Sequence, residues 1–103
     1  MSVLTEMSVF PLGKEESVSK YVSEVVKQID QSGYNYKLNS MGTVIETETI
    51  DQALELISKS FKILEPHSNR IYCTAKFDSR KGYSNQLEHK VKAIAGKLGK
   101  VKT

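Results

Sequence analysis

The chain has 103 residues, of which 39% are hydrophobic and 26% charged, and this indicates one globular domain with a single core. Its formal net charge is only +3, whereas nucleic-acid binding calls for a concentrated basic patch with interleaved aromatic residues. The densest run of lysines, over residues 90–102, contains no aromatic side chain, so we interpret it as the solvated face of a terminal helix. We therefore expect residues 1–103 to form a single domain that does not bind nucleic acid.

The chain has one cysteine, Cys73, so neither an intrachain disulfide nor a zinc site built from cysteine pairs can form. Because Cys73 lies in an apolar run, we interpret it as a small buried hydrophobic residue. The first residues lack the basic and apolar regions of a signal peptide, and no stretch approaches the ~18 apolar residues of a membrane span. These features predict a cytoplasmic protein without membrane contact.

The first part of the chain predicts a strand followed by a helix. Apolar and polar residues alternate over Val3–Phe10, which is typical of a strand, and Pro11 ends the alternation. Apolar residues then recur at i, i+3, i+4 and i+7 over Glu16–Ser32, which predicts an amphipathic helix. Gly33 stands where a left-handed residue would terminate that helix.

The middle of the chain predicts extended structure and a second helix. Alternation resumes after the first helix and is interrupted at Met41 and Gly42, which indicates two strands joined there or one long strand bent there. Thr49 and Gln52 match a capping box, in which each side chain bonds the backbone amide of the other residue. The helix that follows is expected to end at about Glu65, before a proline.

The last part of the chain predicts a strand over Arg70–Asp78, a turn over residues 79–82, and a helix with Ser84 as N-cap and Gly99 as terminator. The first six elements, β-α-β-β-α-β, match the split βαβ or ferredoxin-like arrangement. Right-handed crossovers then predict an α+β sandwich with a four-stranded antiparallel sheet of order 4-1-3-2. Two helices cover one face of this sheet, and the C-terminal helix is an addition.

Period-two alternation assigns each strand residue to one face of the sheet. The face toward the two helices is expected to hold Val3, Met7, Val9, Cys73, Ala75 and Phe77. The opposite face, termed the open face, is expected to hold Leu4, Glu6, Ser8, Phe10, Tyr72, Thr74 and Lys76. Since the first and fourth strands are neighbours in this order, Glu6, Ser8, Thr74 and Lys76 should cluster.

The composition of the open face leaves two interpretations. Apolar and aromatic groups mixed with a few hydrogen-bonding groups are typical of a small-molecule pocket and also of a subunit interface. Glu6 and Lys76 can form a cross-strand ion pair, and Ser8 and Thr74 can be ordinary strand residues. Alternatively, Glu6 or Ser8 forms a hydrogen bond with a polar heterocycle.

Catalysis and RNA recognition are disfavoured. The sequence has no G-x-S-x-G, no P-loop and no H-E-x-x-H, and we interpret His67 and His89 as separate surface histidines. An acylphosphatase-type activity needs an arginine in the loop after the first strand, where residues 11–16 supply one lysine and two acids. An RNA-binding sheet needs exposed aromatic residues, and Phe10 and Tyr72 lack the expected sequence context. We expect no enzymatic activity and no metal site.

Three short stretches of the chain carry a resemblance to a known family. They are residues 7–13, which read MSVFPLG; residues 41–46, which read MGTVIE; and residues 69–80, which read NRIYCTAKFDSR. Together they resemble the thiamine-binding family of small ferredoxin-like proteins, and the resemblance runs nearly end to end. Ser40 and Thr47 depart from it, because the family often has Pro before Met-Gly and Gly after the Glu.

The resemblance implies a protomer that pairs and then forms a homotetramer, a dimer of dimers. It implies binding of thiamine or its hydroxymethyl-pyrimidine moiety, without catalysis and without a further cofactor. The candidate ligand-binding residues are Ser8, Met41, Thr43 and Glu46 from the matching positions, with Glu6 and Thr74 from the open face. Asp78 and Arg80 are expected to form an ion pair at the strand end. The alternative is a structural or regulatory homo-oligomer in which the open face is only an interface.

Overall fold

The computed structural model describes residues 1–13 and 18–103, and its elements follow the predicted order. The strands are β1 (Ser2–Pro11), β2 (Asn35–Asn39), β3 (Gly42–Thr47) and β4 (Ile71–Arg80). The helices are α1 (Ser19–Gln31), α2 (Ile50–Leu64) and α3 (Gln86–Leu98), and a 3-10 turn at Glu65–His67 follows α2. The predicted helix start at Glu16 and the end of the loop after β1 lie outside the described residues.

The four strands form an antiparallel sheet of order β2-β3-β1-β4, which confirms the predicted ferredoxin-like α+β fold with a C-terminal helix. α1 and α2 pack on one face and enclose a core of Met7, Val9, Val25, Ile29, Ile45, Leu56 and Leu64. Cys73 packs against this core on the predicted face, but it is only partly buried. Phe77 lies on the predicted helix-facing side, opposite the buried Thr5, but it is 41% exposed. The reason is its position on β4, an edge strand that pairs with β1 alone among the described strands.

β2 and β3 form a hairpin, which decides between the two alternatives left by the sequence. Asn39 pairs with Gly42, so Ser40 and Met41 form the turn. A Cβ atom on Gly42 would lie 2.8 Å from the carbonyl oxygen of Met7, closer than real Cβ atoms come to other atoms. The close approach of the hairpin to β1 therefore requires glycine at this position.

The structure confirms the predicted N-terminal cap of α2 but not that of α3. α2 begins with the predicted capping box, since Thr49 Oγ1 accepts from the Gln52 amide at 3.2 Å and Gln52 Oε1 accepts from the Thr49 amide at 3.1 Å. Ser84 was expected to cap α3, but the residue before the helix is Asn85, which makes no side-chain cap. Asn85 has φ 53°, a left-handed conformation that asparagine tolerates better than most residues. A carboxylate from β3 caps this helix instead, as described below.

α3 lies against the sheet face opposite α1 and α2, where it packs on β1 and β3. Its buried Leu87 and the half-buried Leu4 and Val44 line the same space, so α3 covers one end of the open face. The turn predicted at residues 79–82 starts later, because Ser79 and Arg80 still pair with β1. None of the described helices combines the length and apolarity needed to cross a membrane.

Candidate functional site

A cleft of about 410 Å³ lies between α1 and the β2–β3 hairpin, and we term it the hairpin cleft. Its volume falls in the range of roughly 300–1,000 Å³ that is typical of small-molecule sites. The valines of α1 form one wall, Met7–Phe10 of β1 the floor, and Leu38–Thr43 of the hairpin the other wall. The cleft is therefore built by three elements that the fold brings together at one end of the core.

Three of the six predicted ligand-binding residues, Ser8, Met41 and Thr43, line the hairpin cleft. Thr43 is buried on the helix-facing side of β3, directly opposite Met7. Ser8 lies opposite Thr74 of β4 and beside Gly42, so it belongs to the open face and borders the cleft at its margin. Met41 lies at the tip of the hairpin and is 88% exposed, so its thioether is free to pack on a molecule in the cleft.

The described lining of the hairpin cleft is neutral and mostly apolar. Among the lining residues that the structure describes, none is Asp, Glu, Lys or Arg. The polar residues of the lining, next to the valine wall, are Ser8, Ser19, Asn39, Ser40 and Thr43. Such a cleft favours an uncharged ring with several hydrogen-bonding atoms, because a charge there would lose water without gaining a counter-charge.

Glu46, the fourth predicted ligand-binding residue, lies on the other sheet face and caps α3. Its carboxylate accepts hydrogen bonds from the Gln86 amide at 2.8 Å, the Leu87 amide at 3.1 Å and the Ser2 hydroxyl at 2.5 Å. Partial burial alone would raise the pKa of Glu46, but the hydrogen bonds from Ser2, Leu87 and Gln86 outweigh it and hold the pKa below its ordinary value. The cap explains why α3 begins without a local capping side chain.

Glu6 and Thr74, the remaining two candidates, lie on the open face away from the hairpin cleft. The predicted cluster is confirmed, since Glu6 pairs with Lys76 and Ser8 with Thr74 across β1 and β4. Lys76 Nζ lies 3.0 Å from Glu6 Oε1, which confirms the cross-strand ion pair. The six candidates are thus divided between the two sheet faces, and the structure does not assemble them into one site.

The expected ion pair between Asp78 and Arg80 is wrong, because each of these side chains contacts another residue. Asp78 pairs with Lys90 of α3, and the Arg80 guanidinium stacks 3.6 Å from the ring centre of Tyr83. The hydrogen bond from Lys90 is the main cause that lowers the pKa of Asp78, and the charge of Arg80 adds to it. Asp78 pairs with Lys90 because α3 lies against the sheet and brings Lys90 to the end of β4. Asp78 and Glu46 thus both fasten α3 to the sheet.

The described residues offer little for nucleophilic or metal chemistry. Burial raises the pKa of the Cys73 thiol, which disfavours the reactive thiolate. Within residues 1–13 and 18–103, no three His, Cys, Asp or Glu side chains come together as metal ligands.

Sequence reasoning missed the part that α1 plays in the cleft. Val22, Val25 and Val26 recur at helical spacing, and this spacing indicates a core-facing stripe. All three line the cleft, and Val25 also belongs to the core. No signal in the sequence separates a valine that covers the core from one that borders a cleft, because both need the same apolar face.

The fold and the hairpin cleft define a class: ferredoxin-like α+β proteins with a ligand-sized cleft beside the β2–β3 hairpin. The family model described as "Thiamine-binding protein" matches residues 5–95. The chain therefore belongs to this thiamine-binding protein family. The family's description suggests small-molecule binding rather than catalysis.

Curated relatives and solved structures support this membership. A UPF0045 protein of Methanothermobacter thermautotrophicus is 31% identical over 98 residues, which cover 93% of this chain and 99% of that protein. The UPF0045 protein MJ1052 of Methanocaldococcus jannaschii is 35% identical over 92 residues, 89% of this chain and 91% of that protein. Its crystal structure superposes with a TM-score of 0.82 at 34% identity, covering 91% of this chain and 96% of that one.

A more distant structure shares the fold. The Thermotoga maritima protein TM0486 superposes with a TM-score of 0.77 at 16% identity, over 90% of this chain and 99% of that one. That protein is named for a proposed role in thiamine biosynthesis or salvage. At this identity the superposition itself shows the fold alone.

Proposed function

We propose that the protein binds thiamine, or its hydroxymethyl-pyrimidine moiety, in the hairpin cleft and does not alter it chemically. The observation that carries this proposal is the convergence of Ser8, Met41 and Thr43 on one apolar cleft of ligand size. These are positions where the sequence matches the family motifs, and the family's description supports a thiamine-related ligand. In this proposal the protein acts in the cytoplasm in vitamin uptake, storage or salvage.

The charge of the cleft supports one orientation of thiamine. The aminopyrimidine ring is neutral and carries hydrogen-bond donors and acceptors, whereas the thiazolium ring is a cation. Because the described lining residues include no carboxylate, the pyrimidine ring should enter the cleft and the thiazolium ring should face solvent. The Thr43 hydroxyl would bond a ring nitrogen and the Met41 thioether would cover the ring, while Ser8 would lie at the margin of the site. The free pyrimidine should accordingly retain most of the affinity of thiamine.

In this proposal Glu46, Glu6 and Thr74 do not contact a ligand in the hairpin cleft. Glu46 instead holds α3 against β3, the strand that also carries Thr43. A substitution of Glu46 would therefore disturb folding and any ligand contact together. Substitutions of Thr43 and Thr74 provide a cleaner comparison, because the two threonines lie on opposite sheet faces.

The experiment is calorimetric titration of thiamine and of hydroxymethyl-pyrimidine into the wild type, Thr43→Val and the control Thr74→Val. We expect saturable binding of both compounds to the wild type and about fivefold weaker binding to Thr43→Val, the equivalent of one net hydrogen bond of about 1 kcal/mol. Thr74→Val should bind as the wild type does. No heat at protein concentrations that detect micromolar binding would refute the ligand. Weaker binding in Thr74→Val but not in Thr43→Val would indicate that the ligand binds on the open face instead.

The second candidate is a structural or regulatory homo-oligomer, such as a dimer of dimers. The edge strand β4 favours it, since β4 is ten residues long, pairs with β1 alone among the described strands, and exposes Tyr72 and Phe77. Light scattering on the purified protein, together with Phe77→Lys, tests this candidate. Oligomers that dissociate in Phe77→Lys, with no heat for either compound, would favour assembly as the function.

A further inference from the structure

A second cavity, of about 460 Å³, lies between α3, the last residues of the chain and the open face, and we term it the α3 cavity. Its walls are apolar: Leu4, Val44, Leu87, Val91, Ile94 and Val101. It lies on the sheet face opposite the hairpin cleft and shares only Asn39 with it among their lining residues. Its volume also falls in the range of small-molecule sites, roughly 300–1,000 Å³.

The rim of the α3 cavity carries positive charge, from Lys37, Lys90 and Lys102. Lys37 pairs with Val44 across β2 and β3, so its side chain emerges on the same sheet face as the cavity wall. Lys90 is already neutralised by Asp78. Lys37 and Lys102 make no ion pair with any residue in the ranges 1–13 and 18–103.

The described acidic side chains on this face and on α3 already have partners, and they include Glu88, which borders a neighbouring groove together with Lys37 and lies 3.8 Å from Lys92. Glu6 pairs with Lys76, Glu46 caps the amides of α3, and Asp78 pairs with Lys90. The described lining of the α3 cavity contains no Asp or Glu side chain. Lys37 and Lys102, at the mouth of an apolar cavity, thus have no ion-pair partner among the described residues, and an anionic group of a ligand would supply a counter-charge.

We propose that the α3 cavity is a second binding site, which takes an organic anion with an apolar body. The apolar body, aromatic or short-chain aliphatic, lies against Val44, Val91 and Ile94. The anionic head, a carboxylate, sulfonate or phosphate ester, lies at the rim between Lys37 and Lys102. This site is independent of thiamine binding, because the cavity and the hairpin cleft open on opposite sheet faces.

The test is fluorescence titration with two probes of similar aromatic body. 1-Anilinonaphthalene-8-sulfonate is anionic, and N-phenyl-1-naphthylamine is neutral. We expect Lys37→Gln and Lys102→Gln each to weaken binding of the sulfonate by about two- to fivefold, the effect of one exposed charge pair, and to leave the neutral probe unchanged. Added salt should weaken the sulfonate alone. Lys62→Gln, at an exposed position of α2 on the other side of the molecule, is the matched control and should change neither probe.

Two further measurements locate the site. Val91→Trp introduces a larger side chain that fills the cavity from a partly exposed position, so it should weaken the binding of both probes. The circular dichroism spectrum of this variant should remain that of the wild type. The dissociation constant of thiamine, measured by calorimetric titration, should be the same with saturating sulfonate as without it. The proposal is overturned if neither Lys37→Gln nor Lys102→Gln changes the affinity for the sulfonate. It is also overturned if Lys62→Gln lowers that affinity as much as they do. Competition between thiamine and the sulfonate also overturns it, and leaves the proposed thiamine binding intact.

Discussion

Removal of the Glu46 carboxylate should destabilise the whole domain, because this group fixes the start of α3. In Glu46→Ala, the Ser2 hydroxyl and the amides of Gln86 and Leu87 lose their acceptor. A hydrogen bond to a charged acceptor contributes roughly 1.5–3 kcal/mol, and a negative charge at a helix N-terminus about 0.3–1 kcal/mol. Water can replace part of these contacts, since Glu46 is only half-buried. We therefore expect the free energy of unfolding to fall by about 2–4 kcal/mol.

Urea denaturation at pH 7, followed by circular dichroism, measures this loss. In a domain of this size it corresponds to a melting temperature lower by about 10–20 °C. The matched control is Glu48→Ala, an exposed residue two positions along the chain, which should change stability by less than about 0.5 kcal/mol. A Glu46→Ala variant as stable as the control would refute the cap as the reason why α3 docks on the sheet.

The pH dependence gives an independent check on the same group. The pKa of Glu46 is lowered in the folded protein from an ordinary value of 4.5. Its contribution is therefore fully present above pH 4.5 and is lost as the pH falls through the lower, folded-state pKa. Glu46→Gln should be less stable than the wild type at pH 7 and approach it under acid conditions. A stability difference that stays constant down to pH 3 would contradict the charged cap.

Three smaller predictions concern local structure, and urea denaturation measures each of them. Gly42→Ala should lose about 1–3 kcal/mol, because the new Cβ would meet a β1 carbonyl oxygen at 2.8 Å. The control is Gly96→Ala in α3, where a new Cβ would meet nothing within 4 Å. It should be neutral or stabilise by up to about 1 kcal/mol. Equal effects of Gly42→Ala and Gly96→Ala would contradict the close approach of Gly42 to β1. Thr49→Ala should cost about 1 kcal/mol through the lost N-cap, and Thr49→Ser should restore most of it. Glu6→Gln should change stability by less than about 1 kcal/mol, because Lys76 and Glu6 are 81% and 52% exposed; a larger loss would mean that the pair is shielded from water.

Local signals in the sequence predicted the strands, and the right-handedness of crossover connections then predicted their order in the sheet. The alternation in β1 and β4, the capping box at Thr49 and the break at Met41 each depend on near neighbours in the chain. The position of α3 was not predictable in this way. An apolar stripe such as Leu87, Val91 and Ile94 suits either sheet face, so only the packed structure decides which face it covers.

The candidate site was predicted in part. The motif at residues 41–46 lies on the hairpin turn and on β3, and its residues do not share a face. Thr43 points toward the helices and Glu46 toward α3, as period-two alternation requires of residues three apart. The partners of Glu46 lie 40 and 41 residues away along the chain, and no local pattern could have indicated that they would meet.

β3 therefore connects the two halves of the molecule. One side of the strand supplies Thr43 to the hairpin cleft, and the other side supplies Val44 to the α3 cavity and Glu46 to the cap of α3. A change at Glu46 that loosens α3 also loosens the strand that builds the cleft, so weaker thiamine binding in Glu46→Ala would not place Glu46 beside the ligand. A direct contact requires weaker binding at unchanged stability. Thr43→Val, compared with Thr74→Val at matched free energies of unfolding, meets that requirement.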